Sequence, residues 1–190
     1  MLTEKEKKIL RLLISNLDVD YSINQIAKEC NLAPNGAFKI LKKFEEEGIL
    51  KSKKIANIKS YKIDFENTKT KLILELALIP KLEGRIKHRF EDLKELKEAV
   101  KTCIIFGSYT DLKKNPNDID ILFIIDNYEK YKEKLNEIKD IMPVKVHDIV
   151  QTERDLKENI IKKDRVVVEI LQKGIILWGH EVIIKVISNV

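Results

Sequence analysis

Apolar residues recur at helical spacing from the start of the chain. Ile9, Leu10, Leu13 and Leu17 fall on one stripe and predict a helix over 3–16, with Thr3 as its N-cap. A second start follows at Ser22-Ile23-Asn24-Gln25, where Ser22 and Gln25 have the spacing of a capping box, and that helix runs to Glu29. Cys30 to Ala33 turns the chain. Pro34 suits the first turn of a third helix and Gly48 its end. The pattern then shifts to short strands over 49–55 and 58–65, joined by a turn at Ala56-Asn57. Residues 67–100 read as a helical stretch broken at Pro80 and weakened at Gly84, with a second helix over 81–97 that packs on the next domain.

From Thr102 strands and helices alternate. Strands are expected over 102–106, 119–125 and 144–150, and helices over 129–140, 153–162 and 165–173. The first of these helices carries Leu135, Ile138 and Ile141 on one stripe. A short strand or turn at 175–177 and a helix over 181–188 close the chain. This order divides the sequence into a helical and hairpin domain at 1–66, a helical connector at 67–84 and an α/β domain at 85–190.

Composition changes the picture in three ways. Hydrophobic content of 44% is that of a folded protein, and no apolar run approaches the ~20 residues of a membrane span. With no signal peptide ahead of the first helix, the expected location is the cytoplasm, with no membrane partner. Cys30 and Cys103, far apart and in apolar surroundings, read as buried free thiols rather than a disulfide. The net charge of +5 lies wholly in the first hundred residues: 13 basic against 10 acidic residues over 1–66, 8 against 6 over 67–100, and 15 against 15 beyond. A basic first half points toward nucleic acid.

Helix, helix, turn, helix and hairpin over 3–66 resembles the winged helix-turn-helix family. The resemblance is carried by Ser22-Ile23-Asn24-Gln25-Ile26-Ala27, Leu32, Phe38 to Phe44 and Glu47-Gly48-Ile49-Leu50. It implies that the third helix enters the DNA major groove, with Asn35, Gly36, Lys39, Lys42 and Lys43 as recognition-helix candidates. Lys51, Lys53, Lys54 and Lys59 are the wing candidates. The strongest DNA-contact set is Asn35, Lys39, Lys42, Lys43, Lys53 and Lys54, the lysines meeting phosphates rather than bases. Glu45-Glu46-Glu47 dilutes this charge at the far end of the helix, and a winged helix that binds protein instead is the alternative.

The chemistry concentrates in Cys103-Ile104-Ile105-Phe106-Gly107-Ser108, followed by Asp118-Ile119-Asp120-Ile121-Leu122. Alternation along a strand sends Asp118 and Asp120 to the same face. Two like charges in a strand of Ile and Leu are best reconciled by a hard cation such as Mg²⁺. A glycine at the end of a strand lets backbone approach a ligand, and a short helix starting at Ser108 would offer N–H groups and a hydroxyl to phosphates.

An apolar strand, Gly-Ser, a loop and Asp-x-Asp on a second apolar strand resemble the nucleotidyltransferase superfamily typified by DNA polymerase beta, in its minimal members. Gly107, Ser108, Asp118 and Asp120 match the motif, and Glu169 to Gly179 looks like the family's closing segment. The resemblance covers about 85–190 and implies an α+β chain: a winged helix, then a small nucleotidyltransferase fold with a mixed sheet. It further implies Mg²⁺ on Asp118, Asp120 and a third acid, ATP as donor, phosphates at Gly107 and Ser108, and a protein or nucleic-acid hydroxyl as acceptor. Some minimal members are antitoxins that adenylylate a partner toxin. Asn117 stands where the family often has Ser or Gly. The third acid on the following strand is expected at Asp148, although a shift of one residue would exchange it for His147, a candidate base. The rival reading is a DNA-binding regulator that binds nucleotide without turnover; a third is a purely structural interaction module. An oligomer is left open.

Overall fold

Three of the helix starts are capped by reciprocal hydrogen bonds. Glu6 N–H donates to Thr3 Oγ1 (3.3 Å) while Thr3 N–H donates to Glu6 (2.7 Å), opening α1 (Glu4–Ile14). Ser22 and Gln25 do the same for α2 (Ile23–Glu29). The third box, Thr152 with Asp155, opens a helix in the second half of the chain. In the computed structural model, which describes residues 2–55, 58–111, 113–139 and 142–190, the chain divides into two units between Leu78 and Ile79. The expected turn at Ala56-Asn57, the expected helix end at Asp140 and the stripe residue Ile141 lie outside the described residues.

In the first unit, α3 (Pro34–Glu46) begins with Pro at its first turn. It ends before Gly48, whose φ of 73° supplies the left-handed residue that stops a helix. Strands β2 (Leu50–Ile55) and β3 (Ile58–Ile63) form an antiparallel pair. A two-residue strand, β1 (Tyr21–Ser22), joins the other edge of β3 and was not expected from the sequence. Ile9, Ile26, Leu41, Phe44 and Tyr61 are fully buried between helices and sheet.

The connector expected at 67–84 is divided in the structure. Its first helix, α4 (Thr68–Leu78), packs on α1 and buries Leu74 and Ala77 completely. Arg11 of α1 donates from Nε to the Ala77 carbonyl (2.8 Å), satisfying a group that a helix end leaves open. Pro80 follows at once, where a helix cannot readily continue.

The second unit begins with α5 (Gly84–Leu93), which tightens into a 3₁₀ turn over Lys94–Glu98. A four-stranded mixed sheet comes next, in the order β6-β5-β4-β7. Its strands are β4 (Thr102–Phe106), β5 (Asp118–Ile124), β6 (Lys145–Gln151) and β7 (Ile175–Trp178). β4 runs antiparallel to both neighbours, and β5 parallel to β6. One face, with Cys103, Ile105, Ile121 and Phe123, packs in a core with α5 and α6 (Tyr128–Lys139). α8 (Arg165–Lys173) and α9 (His180–Ile187) pack against β4, while α7 (Glu153–Ile161) packs on both of them. Trp178 is core, its indole N–H donating to the Val100 carbonyl (3.1 Å).

Cys30 of the first unit and Cys103 of the second are free and buried. Burial pushes both thiols above their ordinary pKa, Cys103 far more so. Among the described residues no helix is long and apolar enough to cross a membrane.

Candidate functional site

Phe106, the last residue of β4, lies opposite Asp120 in the β4–β5 ladder. The chain leaves the sheet through Gly107, whose φ of 69° is a left-handed conformation that a side chain would strain. A Cβ there would also stand 2.5 Å from Asp120 Oδ2. Position 107 is therefore glycine for two reasons, and the Gly-Ser arm passes close against the acid strand. The arm itself is a single 3₁₀ turn over Gly107–Thr110, closed by Thr110 Oγ1 on the Gly107 carbonyl (2.9 Å). The short helix considered from Ser108 is this 3₁₀ turn, which starts one residue earlier, and Ser108 sits half-buried in it.

Asp118 and Asp120 share a face at the start of β5, with side chains 45% and 35% exposed. Register with β6 decides the third position. Asp120 pairs with His147 and Ile121 with Asp148, so His147 shares the acids' face. His147 Nδ1 lies 3.7 Å from Asp118 Oδ2 and 3.6 Å from Asp120 Oδ1. Asp148 points to the opposite face, accepting hydrogen bonds from Tyr131 Oη (2.7 Å) and Lys139 Nζ (2.8 Å) of α6. Partial burial raises its pKa, but these two donors outweigh burial and hold the carboxyl below its ordinary value. The expectation of Asp148 as third metal ligand is thereby corrected: it joins the sheet to α6.

In the first unit, Ala37, Leu41 and Phe44 bury one face of α3 and leave Asn35, Gly36, Lys39, Lys42 and Lys43 exposed on the other. These cations are not equivalent. Lys43 Nζ bonds Glu6 of α1 at 2.8 Å, and the Glu6 side chain is only 8% exposed. Lys42 pairs with Glu46 (3.6 Å), Lys59 with Glu45 (2.7 Å) and Lys51 with Asp64 (3.6 Å). Lys39, Lys53 and Lys54 form no ion pair among the described residues and are exposed. Glu45 has a structural use that the sequence did not suggest. It accepts from Ser52 of β2 and Lys59 of β3, tying the hairpin to the end of α3.

Residues 86–173 match the family model of the polymerase beta nucleotidyltransferases, and residues 2–51 match the winged helix-turn-helix DNA-binding model. The chain joins a winged helix to a nucleotidyltransferase domain. No curated protein matches it at a significant level. Among solved structures, a mutant of ZitR from Lactococcus lactis matches at 21% identity with a TM-score of 0.33. The match covers 52% of this chain and 60% of that one, and a TM-score so low carries no argument.

Within the nucleotidyltransferase domain, the donor set fits a magnesium ion that shares its ligands with a nucleotide. Two half-exposed carboxylates stand on one face, and Mg²⁺ is commonly held by one or two carboxylates together with substrate phosphates. Among the described residues no cluster of three or more His, Cys, Asp or Glu side chains forms a metal site by itself. Sequence reasoning missed Arg85 and Tyr109. Arg85 donates to the carbonyls of Asp111 and Lys114, and its guanidinium lies over the Tyr109 ring beside Ser108. Its partners are 26 and 29 residues away, beyond any local pattern.

Proposed function

We propose that the nucleotidyltransferase domain transfers a nucleotidyl group, AMP from ATP, to a hydroxyl on a protein or nucleic acid, and that the winged helix brings this activity to duplex DNA. The observation that supports this reading is the closeness of Gly107 to Asp120, where an added Cβ would stand 2.5 Å from Oδ2, because it puts the Gly107-Ser108 turn beside the acid strand. In this reading Asp118 and Asp120 hold Mg²⁺ together with the triphosphate. The Ser108 hydroxyl and neighbouring amides hold the β- and γ-phosphates. When bound, the ion supplies positive charge against the phosphate oxygens. The acceptor oxygen attacks the α-phosphorus, the bond from that phosphorus to the β-phosphate oxygen breaks, and pyrophosphate leaves. His147, on the same face as the acids, takes the acceptor's proton. On the DNA side, Lys39, Lys53 and Lys54 meet phosphates and Asn35 reaches a base edge.

A second reading is favoured by one observation: the third position of the acid face is an imidazole rather than a carboxylate. Here the domain binds the nucleotide as a signal to a DNA-binding regulator and does not turn it over. Incubation of the full chain with ATP labelled on the α-phosphate, Mg²⁺ and candidate acceptors separates the two. Label on a macromolecule supports transfer, and bound but untransferred nucleotide supports the regulator. Absence of nucleotide binding overturns both.

A further inference from the structure

The loop between the Gly107-Ser108 arm and the Asp118/Asp120 strand is gripped by one side chain of a neighbouring helix. Arg85, in the first turn of α5, donates from Nη1 to the Lys114 carbonyl (2.7 Å) and from Nη2 to the Asp111 carbonyl (2.5 Å). Its guanidinium carbon lies 4.7 Å from the centre of the Tyr109 ring, and Tyr109 is buried directly after Ser108. The loop's own bonds are short in range. Asp111 N–H reaches the Ser108 carbonyl (3.2 Å), Lys113 N–H the Asp111 carboxylate (3.0 Å) and Lys114 N–H the Asp111 carbonyl (3.0 Å). These bonds shape the turn, and at the far end of the loop the Lys145 N–H reaches the Asn117 carbonyl (3.3 Å) from β6, but none of them sets where Asp111 and Lys114 stand against the rest of the domain.

Arg85 supplies that setting. A planar fork can bridge two carbonyls and stack on a ring at the same time, which an ammonium group cannot do as rigidly. The orientation leaves Arg85 Nε buried without a hydrogen bond among the described residues, a cost that the two carbonyls and the ring offset. The hydrogen bonds of Arg85 go to the loop, not to Ser108 or to either acid. We propose that Arg85 is a positioning residue for the nucleotide site, fixing the loop that spaces the phosphate arm from the acid pair. The proposal rests on the reading of Gly107, Ser108, Asp118 and Asp120 as a nucleotide site.

Amide hydrogen exchange by NMR tests it on the full chain, with Mg-ATP and adenosine binding measured on the same samples. Arg85→Met is expected to speed exchange at Asp111, Lys113 and Lys114 by about tenfold or more, with the Ile104 and Phe123 amides unchanged. Mg-ATP affinity should fall about tenfold while adenosine affinity holds, because only the phosphate and cation arms are displaced. Should the sheet amides also speed up, Arg85→Lys decides. That variant keeps the charge but not the fork, and faster exchange confined to the loop carries the proposal. Loop amides at wild-type rates in both variants overturn it, as do equal losses for Mg-ATP and adenosine. A wild-type chain that fails to bind Mg-ATP overturns the nucleotide reading and this proposal together. Intact wild-type binding with an insensitive loop overturns this proposal alone.

Discussion

Gly107 meets two demands at once, a left-handed backbone and an approach to Asp120 too close for a Cβ. Gly107→Ala should therefore cost about 1–3 kcal/mol of stability and remove Mg-dependent nucleotide binding, because relief comes only by moving the arm or the carboxylate. Thermal unfolding and calorimetric titration with Mg-ATP would read the two effects; unchanged binding would contradict the shared site. The two residues at the β6 junction divide structure from chemistry. His147→Asp places a third carboxylate beside the pair and should tighten Mg-ATP binding several-fold at neutral pH, measured by the same titration. Asp148→Asn should leave Mg-ATP binding alone and cost about 1–3 kcal/mol, since it weakens two partly buried hydrogen bonds, one of them charged. The sign of its pH dependence comes from its lowered pKa. Asp148 contributes fully above the ordinary carboxylate value and loses that contribution as pH falls through its own lower value. The stability gap between wild type and Asp148→Asn should thus be widest near neutrality and close as pH falls through that lowered value. A gap that persists in acid would show that the ionised form is not what stabilises.

At the scale of elements, the hairpin and the third helix act as one body because Glu45 reaches both strands of the hairpin. The lysines on this surface then divide by partner. Changing Lys53 and Lys54 together to Ala should flatten the logarithmic salt dependence of DNA binding by up to about two units, each phosphate contact adding ~0.9. Lys43→Ala should change that slope little and instead destabilise the first unit, because it strips the nearly buried Glu6 of its cation. A salt titration of the full chain on duplex DNA, with thermal unfolding alongside, separates the two outcomes. The box at Ser22 and Gln25 was legible in the sequence because it needs only two residues three apart, whereas Thr3 was legible only as an N-cap and the box at Thr152 was not foreseen. The strand at Tyr21–Ser22 was not, since two residues show no periodicity and the strand exists only by pairing with Tyr61 and Ser60. The third site residue was hidden for a related reason: a one-residue difference in register exchanges the faces of His147 and Asp148, and register is set by the neighbouring strand.

Across the whole molecule, the order of domains and the Gly-Ser and Asp-x-Asp motif could be read from the chain, whereas the edge of the first unit could not. α4 looked like a connector because apolar residues lie all round it, and only its packing shows which of them are buried against α1. Leu72 and Leu76 stay exposed, while Leu74 and Ala77 are fully buried. A fragment ending at residue 78 should consequently be more stable than one ending at residue 66, by about 1.5–3 kcal/mol for Leu74 alone. Comparison of their urea midpoints checks this, and equal midpoints would show that α4 adds nothing. The placement of the two cysteines has a practical consequence. Each unit holds one free thiol, Cys103 fully buried and Cys30 only 6% exposed, and burial raises both pKa values, so neither is an activated thiolate in the folded state. An alkylating probe must wait for the surrounding unit to open. Labelling at Cys30 and at Cys103, followed separately by peptide mass, thus provides two built-in clocks, one timing the opening of the winged helix and the other that of the nucleotidyltransferase domain.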